Sequence, residues 1–218
     1  MSSNSTEKIS IKEIGEDYGT GIWKDYQSIL SPEEYNEAYL LTLLSDTSFQ
    51  SAPADSPLLW VPIHAWRTLG QMSSLRALEE VLNLAETGEE HLSQYAYDDF
   101  AKFIAYFGES AISTLENVLR DQHHTEIRRT LAAEGLGIIG AATTGTARAQ
   151  IIEILIKQIK ETGFDDGWVN GSAAEALMVM KEHSVGDEIL DLYDRGHIQV
   201  GVVRASNLKN FFSQQNSE

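Results

Sequence analysis

Cysteine is absent from the 218 residues. That excludes disulfides, thiol catalysis and thiolate metal sites. Positive charge is scarce. Against 33 aspartates and glutamates stand 16 lysines and arginines, a net charge of −17. Binding to nucleic acid needs a basic stripe that neutralises phosphates, so neither nucleic acid nor an anionic membrane is an expected partner. Apolar stretches are broken by charge every few residues, well short of the roughly 20 that a membrane helix takes. The opening MSSNSTEKIS has no apolar run of the kind a signal peptide carries. A soluble cytoplasmic protein is therefore expected. No stretch alternates apolar and polar positions as a half-buried strand does.

What the chain does contain is a unit repeated four times. A helix with small residues inside it ends near a glycine, and an amphipathic helix follows. The units are AWRTLGQMSSLRALEEVLNLAE, FIAYFGESAISTLENVLRD, AAEGLGIIGAATTGTARAQIIEILIKQIKE and AAEALMVMKEHSVGDEILDLYDRG. Gly70, Gly108 and Gly140 mark the first three, and the fourth has Lys181 and Glu182 after Met180 instead. A unit this small cannot bury its own apolar face, so neighbours must stack.

The second helices of the first three pairs have a clear buried stripe. Ile151, Ile152, Leu155, Ile156 and Ile159 oppose Gln150, Glu153, Lys157 and Lys160. Ile112, Leu115, Val118 and Leu119 oppose Ser113, Glu116, Asn117 and Arg120, and Leu75, Leu78, Val81 and Leu82 oppose Arg76, Glu79, Glu80 and Asn83. Glu116/Arg120 and Glu153/Lys157 have the favourable i,i+4 order. The first helices are rich in Ala and Gly, which lets helix axes approach. Ser56-Pro57 and Ser31-Pro32 read as N-cap plus N1 proline. Glu34 completes a capping box for a helix near 32–44.

Ile63-His64-Ala65-Trp66-Arg67-Thr68-Leu69-Gly70 and Ile127-Arg128-Arg129-Thr130-Leu131-Ala132-Ala133-Glu134-Gly135-Leu136 resemble the opening helices of HEAT repeats, in particular the bacterial HEAT-like repeats of phycobilisome lyases. The resemblance covers about 57–195. It implies an all-α, right-handed α-solenoid of about four helix pairs over 57–203. Residues 1–56 would form an N-terminal extension with one or two capping helices, and 204–218 a polar tail. It implies a binding surface more than a catalytic pocket. The family also includes bilin lyases, so a lyase-like cofactor-handling enzyme or chaperone is the alternative. In that case Arg128 and Arg129 would meet propionates.

On a solenoid, equivalent positions line one extended surface. The candidate binding residues are therefore Arg76, Glu80, Asn83, Glu116, Arg120, Glu153, Lys157, Glu188 and Asp191, on the concave face built by the second helices. Acidic runs at 79–99 and 161–195 flank a locally basic third unit. A basic or mixed-charge protein is the expected partner.

Nothing else gathers into a chemical site. His64, His91, His123, His124, His183 and His197 lack metal-ligand spacing. His64 reads as a core histidine and His123-His124 as a loop pair. Asp165-Asp166-Gly167 lacks the ligand alternation of a calcium loop and reads as a helix N-cap. The glycines around 135–145 have no Lys-Ser/Thr partner for a phosphate. Trp60 and Trp168 sit at the starts of first helices, which suggests equivalent stacking roles. No cofactor, metal or catalytic residue is expected.

Overall fold

In the computed structural model the described residues are 8–17, 22–53, 55–87, 90–199 and 205–213, and among them every regular element is helical. The chain forms two compact units, Met1–Phe107 and Gly108–Glu218.

In the first unit a 3-10 turn, Ile11–Glu13, precedes the short helices α1 (Tyr26–Ile29), α2 (Glu37–Ser45) and α3 (Thr47–Gln50). The helix expected near 32–44 starts five residues late. Ser31 Oγ does accept the Glu34 N–H, at 3.3 Å. The Glu34 carboxylate does not complete the box, because Ser10 Oγ at 2.8 Å and the Ile11 N–H at 3.0 Å already donate to it. The helix begins only where Asn36 caps it, accepting from Tyr39 N–H at 3.1 Å. Asp46 caps α3 through the Ser48 N–H at 2.9 Å.

Ser56 caps a 3-10 turn, Pro57–Trp60, that leads directly into α4 (Val61–Gln71), followed by α5 (Leu75–Thr87) and α6 (Glu90–Ala105). Helix α4 is buried all round from Val61 to Gly70 and packs against α2, α5 and α6. Its stop is a Schellman motif: Ser73 N–H bonds Gly70 C=O at 2.8 Å and Ser74 N–H bonds Leu69 C=O at 3.0 Å. Gly70 itself serves packing, since a Cβ there would lie 2.8 Å from the Phe103 ring. Leu78, Val81 and Leu82 are buried as the α5 stripe predicts, while Leu75, at the helix start, is exposed.

The second unit opens with a 3-10 turn, Gly108–Ala111. It continues through α7 (Ile112–Arg120), α8 (Glu126–Ala142), α9 (Gly145–Thr162), a 3-10 turn Gly163–Asp166, α10 (Gly167–Val179), α11 (Gly186–Asp194) and α12 (Ala205–Ser213). Helix α8 is the hub, packed on α7, α9 and α10. Its small residues do what the composition suggests, for a Cβ on Gly137 would meet Ala176 Cβ at 2.7 Å. Arg148 of α9 ties off two helices at once, donating to Gly140 C=O at 2.8 Å and Met180 C=O at 2.7 Å. The expected polar tail is corrected over α12. That helix packs on α10 and α11 with Leu208 and Phe212 buried, and Phe211 stacks on His183 with centroids 4.2 Å apart. Residues 214–218 and the 203/204 boundary lie outside the described residues.

Candidate functional site

The nine residues expected to line a second-helix surface divide between the units. On α5, Arg76 reaches Glu37 of α2 at 4.0 Å, and Glu80 and Asn83 are exposed. In the second unit the charges meet one another. Arg120 binds Glu116 at 3.0 Å and approaches Glu161 at 3.9 Å, and Lys157 also approaches Glu161, at 3.7 Å. Lys160 pairs with Glu188, and Arg195 with Asp191 at 3.2 Å. The anticipated Glu153–Lys157 pair is replaced by Lys157–Glu161. Helices α7, α9 and α11 thus carry a largely self-neutralised surface, and exposed pairs of this kind are worth about 0–1 kcal/mol each.

The buried charges are closed structural clusters. In the first unit Asp99 accepts from Arg67 Nε at 2.6 Å, Arg67 Nη2 at 3.2 Å, Trp66 Nε1 at 3.1 Å and Trp23 Nε1 at 3.3 Å. His64 is the core histidine expected. Tyr26 O–H donates to its Nδ1 at 2.8 Å, and its Nε2–H donates to Gly15 C=O at 2.7 Å. Burial holds its pKa down at about 4, so it is neutral. In the second unit Arg129 forks onto Asp166 at 2.7 and 2.5 Å and gives Nε–H to Leu119 C=O at 2.8 Å. The Arg129 guanidinium holds the Asp166 carboxyl below its usual range.

Three expectations change here. Asp166 makes no N-cap bond, its carboxylate being occupied by Arg129. Arg129 is buried in that pair, so it is not placed to meet a propionate. Trp60 is buried against Tyr95 whereas Trp168 is 40% exposed, so the two tryptophans are not equivalent. His123 and His124 lean on Asp121 in a loop, as expected. No group of three or more potential metal ligands occurs among the described residues.

The face that stands out is formed by the first helices α8 and α10. Ile127, Glu134 and Ile138 fall at i, i+7, i+11 on α8, and Trp168, Glu175 and Val179 repeat that spacing on α10. Such spacing puts each trio on one stripe. Ile127 is 45% exposed and Val179 52%. Between the stripes lies a groove of about 250 Å³ lined by Glu134, Ile138, Glu175, Ala176 and Val179. Burial, and then the neighbouring Glu175 charge, pushes the Glu134 carboxyl above its usual range, and burial does the same to Glu175. No ion pair or hydrogen bond among the described residues reaches either carboxylate. Sequence reasoning did not single out this pair. Its signal was available, since residues 132–134 and 173–175 both read Ala-Ala-Glu. An acid so placed repeats at one position of successive first helices.

No family model, curated protein or solved structure matches the chain. Among the described residues, no helix is long and apolar enough to cross a membrane.

Proposed function

We propose that this chain is a non-catalytic protein-interaction module that binds a basic or mixed-charge protein. On this reading the helix pairs are HEAT-like repeats stacked into a right-handed solenoid, and α1–α3 cap its first end. The observation that carries the functional reading is the α8–α10 face. It combines exposed Ile127, Trp168 and Val179 with two carboxylates that no cation of the described chain neutralises. Exposed aromatic and aliphatic side chains around a small groove are the usual anchors of a protein interface. The groove is smaller than the roughly 300–1,000 Å³ that drug-sized ligands occupy. That favours a side chain over a cofactor as its occupant. The surplus of acid would add long-range attraction for a basic partner, which raises association rate more than affinity.

The test is affinity capture with the full chain and with a Trp168→Glu/Val179→Glu variant, each checked by circular dichroism. A specific partner should be retained by the wild type and lost by the variant. Equal recovery of every bound protein by both would defeat the reading.

A further inference from the structure

We propose that the groove between Glu134 and Glu175 is the seat for one arginine side chain of the protein partner. The inference rests on the module reading above and adds the chemistry of its central contact.

The walls and floor are suited to such a side chain. Ile138, Ala176 and Val179 offer an apolar surface to the three-carbon stem. Glu134 and Glu175 stand on separate helices, one from each side of the groove. A guanidinium carries five N–H donors in a planar fork and can bridge two carboxylates at once, whereas an ammonium acts as a compact point charge. Guanidinium is also the more weakly hydrated cation, which suits a site half removed from water.

No ion pair of the described chain answers either acid. Burial makes both carboxyls resist ionisation in the free protein, and a bound cation would offset that cost.

The experiment is an NMR titration of the isotopically labelled full chain with four probes: N-acetyl-arginine methylamide, N-acetyl-lysine methylamide, N-acetyl-norleucine methylamide and calcium chloride. The arginine amide should give saturable shifts at Glu134, Ile138, Glu175 and Val179 and bind at least threefold more tightly than the lysine amide. The norleucine amide should give none at the carboxylates. Glu134→Gln and Glu175→Gln should each weaken the arginine amide about tenfold, the loss of charge-assisted hydrogen bonds. Thermal melts confirm that both variants fold. Three results would overturn the assignment: equal response to norleucine and arginine amides, calcium shifting the site where the amides do not, or undiminished binding by the double Gln variant. None of these touches the capture experiment, so a plain apolar docking face and the absence of any module are told apart.

Discussion

Replacing Gly137 by alanine tests the packing at the centre of the second unit. In an ordinary helix interior the change stabilises, by about 0.5–1 kcal/mol, because alanine has less backbone freedom to lose. Here the new methyl would lie 2.7 Å from Ala176 Cβ, 2.8 Å from Ala176 Cα and 3.2 Å from Ala176 O. Carbon atoms pack at about 3.5–4.0 Å, so α8 and α10 must part by nearly an ångström. The obstacle is largely backbone, which cannot swing aside. Overpacking of this kind costs about 1–3 kcal/mol, so with its mid-range set against the mid-range helical gain the net effect is a loss of about 1 kcal/mol. Gly140→Ala is the internal control. Its methyl would meet the Cε and Sδ of Met180 at 2.6 Å and its Cγ at 3.0 Å, all on one flexible side chain rather than backbone. That variant should be close to neutral. Adding Ala176→Gly to Gly137→Ala should restore only part of the loss, since it removes the 2.7 Å contact and leaves the 2.8 Å one. Urea unfolding followed by circular dichroism measures all four proteins. A Gly137→Ala chain as stable as the wild type, or more stable than Gly140→Ala, would refute the claim that close approach of these helices is what the glycine provides.

Further expectations are as direct. The His64 ring should titrate near 4 by NMR, so stability it provides is present above the unfolded value of about 6.5 and is lost as pH falls towards 4, by at most about 3 kcal/mol; a midpoint near 6.5 would contradict its placement. Glu134→Gln and Glu175→Gln should each raise stability at pH 7 by about 0.5 kcal/mol, the size of one unfavourable charge contact on a helix. The gain should vanish at pH 4, because a carboxyl whose folded pKa is raised costs stability only once pH climbs through that window. Lys181 holds a φ of 55° in the Schellman turn after α10, so Lys181→Gly should stabilise by about 1 kcal/mol; a lower urea midpoint would show that its side chain contributes more than the strain costs.

The helices were legible wherever a stripe ran for two turns or more. Ile151, Leu155 and Ile159, and likewise Ile112, Leu115 and Leu119, are buried as the spacing requires. What the sequence hid were partners chosen across the fold. Glu34 fits a capping box locally, yet its carboxylate goes to Ser10 and Ile11, more than twenty residues away. Lys157 has an acid four residues on either side, and nothing local prefers Glu161 to Glu153. Asp166 looks like a cap until Arg129 of α8 claims it. Helix α12 was missed because its apolar positions, Leu208, Phe211 and Phe212, are few and end in a polar tail. The stacking of the pairs into one solenoid rests on the resemblance and the repeat period alone.

The same comparison explains why the carboxylates of the α8–α10 groove differ from the other acids of this chain. Asp99 and Asp166 are more deeply buried, and each is answered by an arginine that the fold itself supplies. Such closed pairs contribute little net stability, but losing one partner costs about 3–5 kcal/mol, so they fix how neighbouring helices meet. Half-buried acids such as Glu116 and Glu188 are each met by a nearby cation. Glu134 and Glu175 have neither remedy. They are half withdrawn from water, on the same helix pair that carries the Arg129–Asp166 lock, and no cation of the described chain reaches them. Glutamine would fit either place with less electrostatic cost. An acid whose charge the fold leaves unanswered fits a residue that works in a complex, with the missing charge brought by the partner.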